Sequence, residues 1–190
     1  MTLTHCFDAV KPPAAPPAGF QAAAIYVGGS QAERVWTHED CLTVAHLAQF
    51  PFYVPDMVTD PTAQAADACR IAKSMGWSDY GGPMRRVIVY DLETARDEEW
   101  WAVVQSITYR HGYLAVAYGS TGYVTENKAD YYWGAHYGVP PVLPEGSEWW
   151  ALQYEADFKL PDGTLIDLSV CSAEIMHHAG HGARKSPHAT

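Results

Sequence analysis

In the stretch VIVYDLET, residues 87–94, four residues suited to a buried strand run directly into Asp91, Leu92 and Glu93. Charged groups rarely enter an interior unless they are paired or put to use. Side chains two apart on a strand share a face, at about 3.3 Å of rise per residue, so Asp91 and Glu93 point one way and Leu92 the other. Arg85 and Arg86 stand at the opposite end of the same strand, too far back to neutralise either acid. An apolar strand that finishes in two carboxylates on one face suits a site built at strand ends.

The pattern around it is an alternation of short apolar strands with amphipathic helices. HCFDAV gives way to the proline-rich KPPAAPPAG, which cannot be regular helix or central strand. AAAIYVGG (22–29) is a buried strand closed by two glycines. Thr37–Asp40 spells a T-x-x-D cap opening a helix expected to carry Leu42, Ala45, His46 and Gln49. PFYVPDMV (51–58) is the next strand, and Asp60–Pro61 caps a helix that Gly76 closes. After RRVIVYDLE a second T-x-x-D, Thr94–Asp97, opens a helix with Trp100, Val104 and Ile107 on one face. YLAVAYGS (113–120) and EWWALQYEAD (148–157) are further strands, and a turn at PDG leads into TLIDLSV (164–170).

Such β–α alternation with continuous apolar strands predicts an α/β fold, a parallel sheet with helices packed outside it. An open doubly wound sheet and a closed barrel both fit. Neither GxGxxG nor GxxxxGK[ST] occurs, so nothing favours a nucleotide-binding open sheet. The 190 residues suit one domain, expected over 1–176. The glycine- and proline-punctuated end, 177–190, is expected to be a flexible tail.

The totals narrow the partners. Apolar residues make up 48% and charged residues 18%, a globular composition. A formal charge of −10 argues against a nucleic-acid backbone and gives no help in adhering to an acidic surface. The 7 Trp and 12 Tyr supply both core and ligand-stacking surface. Cys6, Cys41, Cys69 and Cys171 have neither CxxC nor metal-ligand spacing, so no disulfide framework, metal or cofactor is expected. No run approaches the ~20 apolar residues of a membrane span. MTLTHCFDAV lacks a basic start and an apolar run, so delivery to any extracellular target is expected to rely on lysis, a phage particle or another export route.

Other acids could join the pair on the fourth strand: Asp8 after HCF, Asp56 after FYVP, and Asp167 within LIDLSV. Carboxylates gathered at one mouth raise one another's pKa and so prepare a proton donor. Asp56 and Asp60 fit loop and cap duty better, Asp40 is a capping residue, and Asp97, Glu98 and Glu99 sit in a helix's first turn, where its dipole favours them. His177, His178 and His181 form HHxxH, but the surrounding AGHGARKSPHAT cannot hold a rigid coordination shell. No G-x-S-x-G elbow supports a serine triad.

FDAV near the start, YDLE on the fourth strand, WWALQYE and IDLSV resemble, in this order, the muramidases of glycoside hydrolase family 25. They resemble still more closely the glycoside-hydrolase-like domain of many actinobacterial proteins, and the likeness covers residues 5 to about 172. It implies a compact, irregular, TIM-like (β/α) barrel with a groove at the strands' C-terminal ends. It implies hydrolysis of cell-wall peptidoglycan, with Glu93 as proton donor, Asp91 assisting it, and Asp8 and Asp167 lining the groove. Tyr53, Tyr118 and Gln153 match sugar-stacking or hydrogen-bonding positions, and one of Trp149 or Trp150, with Trp150 the choice, is expected to wall the site beside them. The implied partner is a polysaccharide, and an oligomer or larger assembly stays open. A typical muramidase follows its first Asp with Ser-His, whereas Asp8 here precedes Ala-Val-Lys-Pro. That departure keeps a second reading alive: a catalytically weak or inactive glycan-binding or structural module of a virion or surface assembly.

Overall fold

The computed structural model describes residues 3–56, 58–77, 85–92 and 98–181. In chain order the elements are β1 (Thr4–Asp8), β2 (Ala22–Gly29), α1 (His38–Thr43), β3 (Ala48–Val54), α2 (Pro61–Ser74), β4 (Arg86–Asp91), α3 (Glu98–Arg110), β5 (Tyr113–Ser120), β6 (Tyr132–Ala135), β7 (Trp149–Lys159), β8 (Leu165–Cys171), α4 (Ala173–His178) and β9 (Gly180–His181). Short 3₁₀ turns cover Ala32–Arg34 and Val124–Asn127.

Strands β1 to β8 pair in sequence, and β8 returns to β1, so the sheet closes into an eight-stranded barrel of the TIM-like α/β class. β1 to β7 run parallel, as the apolar runs predict. β8 is antiparallel to both neighbours, which corrects the expectation of an all-parallel wall. The turn after Leu160 is too short for a crossover helix, so the chain can only fold back as a hairpin. The reversal decides where Asp167 goes. The beginning of β8, not its end, lies beside the C-terminal ends of the parallel strands, and Asp167 pairs directly with Asp8.

Period-two alternation divides the wall. Cys6, Ala24, Phe50, Phe52, Val87, Val89, Val116 and Trp133 fill the barrel, with Phe52 edge-on to Trp133 at 5.1 Å and to Tyr118 at 5.4 Å. Phe7, Ile25, Ile88 and Tyr90 face outward under α2 and α3, meeting Ala65, Ala68, Trp101 and Val104. The caps form as expected on α1, where Thr37 and Asp40 close a capping box, and on α2, where Asp60 accepts from Thr62 and Ala63 N–H. The second T-x-x-D, Thr94–Asp97, lies outside the described residues. α1 is shorter than its pattern suggests. Gln49 belongs to β3, and its amide donates to Cys41 O at 3.0 Å.

The floor of the barrel is closed by residues expected to trail off. α4 follows β8 beneath the sheet, and the ring of His178 stacks on Trp150 at 5.1 Å while its Nδ1–H donates to Arg85 O at 2.7 Å. Beyond it, β9 pairs with Ala48 and Gln49 of β3. Ordered structure therefore runs through His181; residues 182–190 lie outside the described residues. All four cysteines are buried and free. Among the described residues no helix is long and apolar enough to cross a membrane.

Candidate active site

The mouth collects three of the four acids singled out from sequence. Asp8 is the last residue of β1 and is 5% exposed; Asp91 is the last of β4 and is 4% exposed. Asp8 shares its parity with Cys6, and Asp91 with Val87 and Val89, so both belong to the inner face. Asp167 pairs with Asp8 across the β1–β8 seam, and Asp91 with Tyr118 across β4–β5. Glu93 lies outside the described residues. The main chain just before it is pinned: Leu92 N–H donates to Tyr118 O at 2.9 Å, and Tyr123 O–H donates to Leu92 O at 3.0 Å.

Tyr118 is the hub. Its hydroxyl donates to Gln153 Oε1, and Gln153 Nε2 donates to Asp167 Oδ2 at 2.7 Å. The other Asp167 oxygen accepts from Asp157 N–H at 2.8 Å. That donor is aimed by an irregularity: β7 shifts register between Glu155 and Phe158, and Asp157 sits at φ 57, a left-handed conformation strained for a residue with a Cβ. Burial holds the Tyr118 phenol well above its usual pKa, and the nearby charge of Asp8, the phenols of Tyr26 and Tyr137, and Asp91 push it the same way. Tyr118 thus remains a neutral donor. Burial also raises the Asp167 pKa, against the opposing pull of the Asp157 N–H, Gln153 and Arg34.

Two hollows meet at Tyr118. One, of about 600 Å³, is walled by Asp8, Tyr26, Arg34, Asp157 and Asp167 together with Lys11 and the β7–β8 turn. The second, of about 460 Å³, is walled by Ser120, Tyr123, Ala135, His136 and Tyr137. Together they make a groove across the mouth, with acids along the larger hollow and aromatic rings in both, which suits an extended ligand with alternating apolar faces and hydroxyl edges.

Of the four substrate-binding candidates, Tyr118 lines both hollows, Gln153 is fully buried behind them, where its side chain hydrogen-bonds Tyr118 and Asp167, and the other two lie elsewhere. Tyr53 faces outward: its hydroxyl donates to Asp67 Oδ2 at 3.3 Å, its ring meets Tyr90, and burial and then Asp67 push its pKa up to about 12. Trp150 is buried at the barrel's floor, sandwiched between Tyr131 at 3.6 Å and His178, with the whole interior between it and the groove. Asp56 does loop duty, accepting from Val58 N–H and Thr59 O–H. Sequence reasoning missed Tyr26, Arg34, Asp157, His136 and Tyr137. Tyr26 carried a signal, since it continues the Ala22, Ala24 face of β2. Asp157 carried none, because the irregularity that turns its N–H inward has no sequence marker.

No protein-family model matches the chain, and no curated protein matches it. Solved structures do. An uncharacterized B. stearothermophilus protein superposes with a TM-score of 0.68 at 14% identity, covering 93% of this chain and 100% of its own. The CTP1L endolysin gives 0.66 at 14% identity, covering 92% of this chain and 68% of its own. GHIP, a glycosyl hydrolase 25 of Streptococcus pneumoniae, gives 0.64 at 12% identity, covering 95% and 94%. At these identities the likeness is one of fold.

Proposed function

We propose that this barrel is a glycoside hydrolase that cuts the glycan strands of cell-wall peptidoglycan, as a muramidase does. The observation that carries the reading is the gathering of Asp8, Asp91 and Asp167, from three different strands, around Tyr118: Asp8 and Asp167 wall the larger hollow with it, Gln153 links its hydroxyl to Asp167, and Asp91 pairs with it across β4–β5. A fold shared with an endolysin and a glycosyl hydrolase 25 supports it.

In this proposal Glu93, two positions beyond Asp91, protonates the leaving glycosidic oxygen. The groove carboxylates then face the positive charge that develops on the sugar ring, and one of them orients the attacking water or the sugar's own acetamido group. Tyr118 and Gln153 act as positioning residues. Their hydrogen-bonded chain fixes the Asp167 carboxylate and leaves no loose rotamer at the groove's centre. Access to the wall, by lysis, by a phage particle or by another export route, belongs to the same proposal.

The test is Glu93→Gln, which keeps shape and removes the acid. Clearing of purified peptidoglycan should slow by roughly 10²-fold or more. New reducing ends released by the unsubstituted protein separate hydrolysis from mere glycan binding. Equal clearing by both proteins, or no reducing ends from either, overturns the proposal.

A further inference from the structure

We propose that Asp157 is a further positioning residue of the groove: its main-chain N–H holds the Asp167 carboxylate in place, and its own carboxylate sets a like charge against it on the same wall. The bearing of this device on catalysis rests on the glycan-hydrolase reading; the device itself rests on the geometry of the β7–β8 ribbon.

The register places it. Glu155 of β7 pairs with Leu168 of β8, and Phe158 with Ile166, so two residues, Ala156 and Asp157, stand opposite the single Asp167. Such a bulge releases main-chain groups from the ladder and re-aims them. Here the released N–H of Asp157 turns to Asp167 Oδ1 at 2.8 Å, while Gln153 Nε2, from the same strand, holds Oδ2 at 2.7 Å. That aim depends on the left-handed backbone of Asp157, at φ 57. Glycine adopts such a backbone without strain, and among the described residues every other left-handed position is glycine except Lys128. The chain therefore keeps a strained side chain at the groove's wall where glycine would serve the backbone better. Strain kept at such a place points to use.

The surroundings of this side chain show the use. Asp157 is exposed and walls the larger hollow together with Asp8, Lys11, Arg34, Asp162 and Asp167. Facing Asp167 are Asp8 from β1, Gln153 and Asp157 from β7, and the charge of Arg34 from the turn after β2. Burial, the largest cause, favours the protonated form of Asp167; the Asp157 N–H opposes it, and the Asp157 charge supports it. Asn or Gly at this position would give the same donor without the charge. Asp leaves its neighbour firmly oriented and yet a better proton acceptor than orientation alone would make it. That combination suits a groove carboxylate set to take a proton from the attacking group.

The experiment follows the carboxyl-carbon NMR signal of Asp167 against pH in the full chain, labelled at aspartate and assigned with Asp167→Asn. Asp157→Asn and Asp157→Gly keep the left-handed backbone and the donor and remove the charge, so the Asp167 midpoint should move to lower pH in both. Asp157→Val removes the charge too, but its β-branched side chain resists the left-handed backbone and turns the N–H away. Its midpoint should lie above those of the Asn and Gly variants. Should Asp157→Val fail to fold, Asp157→Ala carries that arm, with a smaller step in the same direction. Asp157→Gly should melt no lower than the unsubstituted protein, since it relieves strain. Release of reducing ends from peptidoglycan should follow the titration: in Asp157→Asn the acid limb of the kcat profile moves to lower pH, while KM stays within about twofold. Unchanged midpoints in the Asn and Gly variants, a midpoint in the Val or Ala variant level with theirs, or a lowered Tm in the Gly variant overturns the inference. Shifted midpoints without any reducing ends keep the device and reject the hydrolase reading; hydrolysis whose pH profile ignores Asp157→Asn does the reverse.

Discussion

Two donors reach the half-buried carboxylate of Asp167, yet burial still holds its pKa above the usual carboxylate value. The folded chain therefore takes up that proton more readily than the unfolded chain does. Stability contributed at this residue is full at acid pH and is lost as pH rises from the unfolded carboxylate range through the raised value. Replacing Asp167 by Asn removes the titration. Chemical denaturation across that range should show the difference in unfolding free energy, native minus D167N, falling as pH rises; a difference that stays level would contradict the assignment. The constant part of the difference carries the altered hydrogen bonds to Asp157 and Gln153, so only the slope bears on the carboxylate. The same scale shows why some site residues were legible. Asp8, Asp91 and Asp167 announced themselves because a charge in an apolar strand must face a mouth, a partner or solvent. Tyr53 gave no such sign. In FPFYV both faces of the strand are buried, so hydrophobicity carries no period of two and cannot say that Phe50 and Phe52 look inward while Tyr53 looks out.

The elements with long, regular patterns were predictable to the residue: β2 and β5 run over 22–29 and 113–120 as expected. Elements whose existence depends on a distant partner were not. β6 is four residues, YWGA, too short for any pattern, and becomes a strand because β5 and β7 flank it. β9 is two residues in a glycine-rich stretch. It forms beside the first residues of β3, below the point where β4 joins that strand, and Gly180 is required there because a Cβ would lie 2.1 Å from the Trp77 ring. The HHxxH stretch is thus partly a floor. Removing residues 177–190 takes away the His178 stack and β9, and should lower Tm by roughly 5 °C or more, at about 2–4 °C per kcal/mol for a chain of this size. An unchanged melt would return those residues to the status of a tail. Trp150 refines the picture. Its indole N–H has no hydrogen-bond partner among the described residues, so the ring serves by its bulk. Trp150→Phe, which keeps an aromatic ring and leaves a smaller void, should cost clearly less than Trp150→Ala, at about 3–5 kcal/mol, by urea denaturation. Equal losses would point to a role for the N–H.

At the scale of the whole molecule, seven of the eight barrel strands could be foreseen, because continuous apolar strands need cover on both faces; closure could not be read from them, since an open doubly wound sheet meets the same need, and only the family resemblance implied a barrel. The reversed β8 was half visible, as a turn at PDG, but its consequence for Asp167 was not. Pairing partners at opposite ends of the sequence leave no local trace. That seam has a temporal side. Asp8 and Asp167 are about 160 positions apart, so the chain entropy lost in joining them is recovered only when β8 is present to be joined. During synthesis, β1 waits beside β2 with one edge open until β8 has left the ribosome. The larger hollow, whose wall includes Asp8 of β1 and Asp167 of β8, is not complete before that moment. A cell making this protein therefore carries nascent chains that lack the cleft, and whatever chemistry the cleft performs switches on only once β8 is in place.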